Sequence, residues 1–194
     1  PYTTLFRSPQ AWILTGVRGV GKTTTARIIA RALNCESGPT IQPCGTCRQC
    51  VAIAEDRHLD IVEIDAASRT GVDDMRDLID SIPYKPVEGR YKVYIIDEVH
   101  MLSTSAFNAL LKTLEEPPPH VKFIFATTEI RKVPVTVLSR CQRFDLRRIE
   151  PEVMIDLLRR IASRESAQIT DDALALITRA AEGSARDATS LLDQ

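Results

Sequence analysis

The sequence predicts an α/β fold, a parallel β-sheet flanked by helices, followed by the beginning of an all-helical domain. Three features predict it. An apolar run, Ala11-Trp12-Ile13-Leu14, enters a glycine-rich loop at residues 16–24 and leaves it on a helical pattern with Ala26, Ile29, Ala30 and Leu33 at i, i+3, i+4 and i+7. Two further apolar runs, Lys92-Val93-Tyr94-Ile95-Ile96 and Val121-Lys122-Phe123-Ile124-Phe125-Ala126, alternate with amphipathic helical stretches, the pattern of strands joined by crossover helices. From Glu150 onward the periodicity is helical only, with Met154, Leu157, Leu158 and Ile161 on one stripe and Leu174, Ile177, Ala180 and Ala181 on another.

The loop carries the first chemistry. Gly16-Val17-Arg18-Gly19-Val20-Gly21-Lys22-Thr23-Thr24 fits the phosphate-loop pattern G-x-x-x-x-G-K-[ST]. Set between a strand and a helix, such a loop turns its backbone N–H groups inward around a phosphate at the positive end of the helix. Gly16, Gly19 and Gly21 admit the phosphates where a Cβ would collide. The expected nucleotide site is therefore Gly16, Gly19, Val20, Gly21, Lys22, Thr23 and Thr24, with Lys22 along the β- and γ-phosphates and the Thr23 hydroxyl on Mg²⁺. Its complement is Asp97-Glu98, two carboxylates that close the Lys92-Val93-Tyr94-Ile95-Ile96 strand. Asp97 is expected to hold the same Mg²⁺ and Glu98 to polarise a water for attack on the γ-phosphate. A water-activating carboxylate favours nucleotide hydrolysis over transfer to another acceptor. His100 has no ligand-spaced partner and is assigned no catalytic part.

A second constellation is Cys35, Cys44, Cys47 and Cys50, spaced C-x8-C-x2-C-x2-C among Gly- and Pro-rich turns. Four convergent thiolates suit a closed structural Zn²⁺ site, with a disulfide pair or free thiols as the alternatives. His58 lies in a polar stretch and is expected on the surface; Cys141 is expected as a small core residue. Residues 60–65 read as a strand, and 72–81 as a helix with Met75, Leu78, Ile79 and Ile82 inward. Arg69 and Arg76 fall off that stripe and read most simply as a solvated face. Pro83, Pro86 and Gly89 break the helix, and residues 103–116 form another, ended by Pro117-Pro118-Pro119. Thr127-Thr128 closes the next strand, at the end where ligands of open α/β sheets bind. Gly183-Ser184 ends one helix and caps the next, which leaves Arg186 beside a positive dipole end and asks for an external anion.

Composition sets limits. At 194 residues and 44% hydrophobic, the chain can bury one full core and begin a second. No apolar run approaches the roughly 18 residues of a membrane span and no secretory pattern appears, so a cytoplasmic location is expected. With 25 basic and 26 acidic residues the net charge is −1, so any nucleic-acid contact must be a local patch. Pro1-Tyr2-Thr3-Thr4-Leu5-Phe6-Arg7-Ser8 lacks an initiator Met and any periodicity and is expected to be foreign to the natural protein. The last helical pattern stops without a terminator, so the chain reads as a fragment.

With the phosphate loop, the four cysteines, Asp97-Glu98-Val99-His100, Ser139-Arg140-Cys141 and Gly183-Ser184-Ala185-Arg186-Asp187 in view, the chain closely resembles the bacterial clamp-loader ATPases of the DNA polymerase III gamma/tau family, members of the AAA+ class. The resemblance covers residues 11–194 and leaves 1–10 unmatched, as a non-native leader; it implies an AAA+ nucleotide-binding domain at 11–148 with a zinc module near 35–50, and a truncated helical lid at 149–194. It implies that Arg140 reaches the γ-phosphate of a neighbouring subunit as an arginine finger, that Thr128 rather than Thr127 is the sensor-1 residue, and that Arg186 is sensor 2. Arg69, Thr70 and Arg76 become DNA-backbone contacts. ATP, Mg²⁺ and structural Zn²⁺ are the implied cofactors. The implied partners are other gamma/tau copies, delta, delta-prime, the sliding clamp and primer–template DNA, in a hetero-oligomer of the bacterial cytoplasm with no membrane attachment. In such an assembly ATP binding opens the clamp and hydrolysis releases it onto DNA. The intact Gly-Val-Gly-Lys-Thr separates the chain from delta-prime, whose loop is degenerate. The family's adenine-holding segment before the first strand is not matched and its collar after the lid is absent, so the isolated chain is expected to be a weak ATPase or none. Another AAA+ DNA-remodelling motor, such as a Holliday-junction branch-migration motor, is disfavoured by Ser139-Arg140-Cys141 and the cysteines. A nucleotide-binding structural subunit without hydrolysis is disfavoured by intact Lys22, Thr23, Asp97 and Glu98, and a P-loop kinase by Glu98.

Overall fold

The computed structural model describes residues 9–68 and 72–194, with the backbone alone for 72–76. Five strands, β1 (Ala11–Thr15), β2 (Ile61–Asp65), β3 (Lys92–Asp97), β4 (Val121–Thr127) and β5 (Gln142–Asp145), form one sheet in the order β2-β3-β4-β1-β5. The pairs β1–β4, β3–β4 and β2–β3 are parallel. Parallel neighbours require crossovers. Helices α1 (Lys22–Asn34) and α2 (Arg48–Ala54) lie between β1 and β2, α3 (Val72–Ser81) between β2 and β3, α4 (Thr104–Glu115) between β3 and β4, and the short α5 (Val135–Leu138) between β4 and β5.

Both faces of the central strands are covered, which is why β1 and β4 are buried at every residue and read as continuous apolar runs. On one face Tyr94, Phe123 and Phe125 stack in a row, with ring centroids 5.5 and 5.9 Å apart. They pack with Ile13 and Ile96 of the sheet and with Leu78, Phe107, Leu110 and Leu114 of α3 and α4. The pleat sends the alternate residues Trp12, Leu14, Ile95 and Ile124 to the opposite face, where they too are buried. Each such side chain contributes about 1.5–3 kcal/mol through its burial.

Register decides where chemistry can be placed. Thr15 pairs with Thr127 and Asp65 with Asp97, so the carboxyl ends of four strands share one rim of the sheet. Polar side chains cluster on that rim because the strands end there.

Contacts divide the chain into two compact units. Among the described residues, one holds 9–15 together with those of Thr23–Phe144; the other holds Gly16–Lys22 and Asp145–Gln194. In the second unit α6 (Pro151–Arg164), α7 (Asp171–Ala181) and α8 (Ala185–Leu192) bury Met154, Leu158, Leu174, Ala181 and Ala188 together. Thr170 and Ser184 cap α7 and α8, accepting hydrogen bonds from the Ala173 and Asp187 N–H groups at 3.3 and 3.2 Å. The loop Gly16–Lys22 belongs to this unit because the first amides of α8, those of Ala185 and Arg186, donate to the Gly19 carbonyl at 3.0 and 3.4 Å.

His58 departs from its expected surface position, being only 6% exposed. Its Nδ1 accepts the Asp60 N–H at 3.0 Å and its Nε2 meets Gln49 Oε1 of α2. Burial holds its pKa below the usual histidine value. A polar sequence neighbourhood hid a residue that is buried by the elements folded around it. Among the described residues no helix is long and apolar enough to cross a membrane.

Candidate functional site

On the rim of the first unit, the Thr23 hydroxyl at the start of α1 donates to Asp97 Oδ2 at 2.5 Å. The other Asp97 oxygen accepts the Glu98 N–H at 2.8 Å. Oxygen donors so paired, at a helix start and a strand end, suit a hard divalent cation such as Mg²⁺. Glu98 adopts the left-handed conformation, φ 45° and ψ 45°, a strained state for a non-glycine residue. That turn carries its carboxylate to Thr128, whose N–H and Oγ1 donate to Glu98 Oε2 at 3.2 and 2.9 Å. Thr128 and Thr127 thus separate: Thr128 is exposed and bonded to Glu98, while Thr127 is fully buried and bonded to His100 Nδ1 at 2.9 Å.

His100, set aside on sequence, belongs to this cluster. A short 3₁₀ turn, Val99–Met101, folds it back beside Glu98, with Nδ1 3.3 Å from Oε2. Its position two residues beyond a strand-ending carboxylate was the only available signal, and it becomes informative only once the turn is known.

In the second unit, the Lys22 ammonium donates to the carbonyls of Gly16 and Val17, each at 3.0 Å. Gly19 needs its lack of a side chain twice over. Its φ is +75°, and a Cβ there would stand 2.1 Å from Ser184 Oγ. Gly21, at φ +99°, would bring a Cβ near no other protein atom, so toward the protein itself its requirement is conformational. Val20 is half-buried and Thr24 exposed. Arg186 is exposed in the first turn of α8, and its backbone N–H faces the phosphate loop.

Arg140 follows α5 in an exposed turn. Its guanidinium donates to Glu115 Oε1 at 2.7 Å and to the Thr136 carbonyl at 2.6 Å. Cys141 packs against the core, and burial pushes its thiol up to about 12. Arg69 and Thr70 lie outside the described residues, as does the side chain of Arg76.

The four cysteines converge, their sulfurs all lying within 4.8 Å of one another. A tetrahedral Zn²⁺ with Zn–S bonds of about 2.3 Å sets its sulfurs about 3.8 Å apart, so the cluster fits with a slight contraction. Cys35 and Cys44 Sγ already stand at 3.7 Å. Backbone N–H groups of Cys44, Cys47 and Cys50 point at the sulfurs of Cys35, Cys44 and Cys47 at 3.3–3.5 Å, an arrangement that stabilises thiolates. The Cys47 and Thr46 N–H groups bring the Cys44 thiol down to about 6, whereas burial pushes Cys50 up to about 12.

Comparison with known proteins gives the family. Residues 6–150 match the family model described as DNA polymerase III, delta subunit, and residues 155–194 match that described as DNA polymerase III clamp loader subunit, ATPase lid domain. The chain is 55% identical over 190 residues to DNA polymerase III subunit tau of Escherichia coli K12, covering 98% of this chain and 30% of that protein. It is 52% identical over 184 residues to the Bacillus subtilis 168 tau subunit, covering 95% and 33% respectively. The chain thus spans about a third of the length of these relatives. Among solved structures, the Thermotoga maritima RuvB Holliday junction branch migration motor superposes with a TM-score of 0.66 at 20% identity, over 95% of this chain and 53% of that one. At that identity the likeness establishes the AAA+ fold alone, and the sequence matches decide the branch. The chain belongs to the DNA polymerase III clamp-loader subunit family, among its gamma/tau members.

Proposed function

We propose that the protein binds and hydrolyses ATP as a gamma/tau subunit of the bacterial replicative clamp loader, coupling the ATP cycle to placement of the sliding clamp on primer–template DNA. The observation that carries this most directly is the 2.5 Å contact between Thr23 and Asp97, which joins the residue after the phosphate-loop lysine to the strand-ending carboxylate. Gly16, Gly19, Val20, Gly21, Lys22, Thr23 and Thr24 hold the triphosphate, and Lys22 balances its charge. Thr23 and Asp97 would hold Mg²⁺, which neutralises charge on the β- and γ-phosphates when bound. Glu98 takes a proton from the attacking water, with Thr128 beside it as the sensor. Arg140 acts on the nucleotide of a neighbouring subunit, and Arg186 acts on that of its own.

Cys35, Cys44, Cys47 and Cys50 would hold a structural Zn²⁺ that crosslinks the segment between α1 and α2. Arg69, Thr70 and Arg76 contact the DNA backbone. The partners are further gamma/tau copies, delta, delta-prime and the clamp, in the cytoplasm.

Replacing Glu98 with Gln in the full-length protein should leave ATP binding intact and lower turnover about 10²- to 10⁴-fold, the range of a lost general base. Turnover at the wild-type rate would contradict the assignment.

A further inference from the structure

We propose that His100 is a positioning residue whose Nδ1–H, shared between Thr127 Oγ1 and Glu98 Oε2, fixes the Glu98 carboxylate. This rests on the reading of Glu98 as the group that activates water. The His100 side chain is only 5% exposed and lies between two carboxylates, with Nδ1 3.3 Å from Glu98 Oε2 and Nε2 3.6 Å from Glu129 Oε1. Its Nδ1 also lies 2.9 Å from Thr127 Oγ1, which accepts the Glu129 N–H at 3.0 Å. The threonine hydroxyl thus ties the imidazole to the loop that follows β4, and the ring cannot swing away without breaking that tie.

The donors around Glu98 are one-sided. Thr128 N–H, Thr128 Oγ1 and His100 Nδ1 all address Oε2, at 3.2, 2.9 and 3.3 Å. Among the described residues none is assigned to Oε1. A carboxylate pinned by one oxygen presents the other, with its lone pairs free, to a water, and the 27% exposure of the Glu98 side chain lets water approach. The pin has something to hold, because Glu98 sits in a left-handed backbone state that a free chain would leave. Thr128 alone lies on an exposed loop; His100 adds a buried anchor from the strand side.

The test compares full-length wild type with His100→Ala, His100→Asn and His100→Gln, each reconstituted with its clamp-loader partners, clamp and primed DNA, reading kcat, KM for ATP and melting temperature. Asn places an amide N–H near the position of Nδ1, whereas Gln places it near Nε2. The expected result is a kcat lowered about ten- to a hundredfold in the Ala and Gln variants, with KM unchanged, and recovery of most of that loss in the Asn variant. Wild-type kcat in the Ala variant would overturn the proposal. So would an equal loss in all three variants accompanied by a lower melting temperature, which is the mark of packing alone. Glu98→Gln run alongside separates the two levels: if it retains turnover, the role of Glu98 itself fails, whereas an inactive Glu98→Gln with an unaffected His100→Ala removes only the role of His100.

Discussion

Asp60 is 1% exposed and accepts three backbone N–H groups, from Val87, Glu88 and Gly89 at 2.7, 2.8 and 2.6 Å. Burial alone would raise its pKa, but the N–H groups of Gly89, Val87 and Glu88 outweigh burial and hold it below the usual carboxylate value. Replacing Asp60 with Ala leaves three donors without their acceptor and should cost about 3 kcal/mol in chemical denaturation, since part of the loop can turn to water. Because the folded pKa lies below the unfolded one, the stabilisation is complete above the ordinary value of 3.8 and is lost as pH falls through the folded value. The stability gap between wild type and Asp60→Asn should therefore narrow below about pH 4. Asp60, His58 and His100 share a lesson about legibility. Each is an ordinary polar residue in the sequence, and its role comes from groups up to about thirty positions away that only the fold assembles. The phosphate-loop pattern and the four-cysteine spacing could be read because each lies within one short segment, whereas Thr23 and Asp97, 74 positions apart, could be paired only through the order of their two motifs.

Elements respond to change in ways the packing makes specific. Gly19→Ala should break the seating of α8 on the phosphate loop, since the new Cβ would stand 2.1 Å from Ser184 Oγ. Gly21→Ala in the same loop meets no other protein atom and carries the backbone cost of about 1 kcal/mol. Hydrogen exchange at the Ala185 and Arg186 amides reads the difference: protection should fall in the Gly19 variant and persist in the Gly21 variant. The cysteine segment makes a second prediction. Helix α2 spans seven residues, and its N-cap is Cys47, whose sulfur accepts the Cys50 N–H. A helix this short depends on its anchors. Metal analysis should find about one zinc per chain, and a strong chelator should remove it and lower the melting temperature. A chain that purifies without zinc and melts unchanged in chelator would contradict the zinc assignment. In the sheet, Phe123→Ala opens the aromatic row and should cost about 3–5 kcal/mol.

At the scale of the molecule, the order of strand, loop and helix sufficed to predict a parallel sheet, because continuous apolar runs such as β1 and β4 arise when both faces are covered. The strand order could not be read, since β2-β3-β4-β1-β5 depends on which runs pair across the chain. Nor could the grouping of Gly16–Lys22 with the last three helices be read, because it rests on the Gly19 carbonyl meeting the start of α8. Arg140 is the residue on which the proposed assembly bears most directly: its guanidinium is held by Glu115 and the Thr136 carbonyl. If Arg140 serves a neighbour, that hold must be exchanged for a phosphate when subunits meet. The most direct measurement is ATP turnover by the full-length protein reconstituted with delta, delta-prime, sliding clamp and primed DNA, comparing wild type with Arg140→Ala. The expected result is turnover stimulated by clamp and DNA in the wild type and lost about 10³-fold or more in the variant. Turnover indifferent to clamp, DNA and Arg140 would contradict a clamp-loader motor acting through a finger in trans.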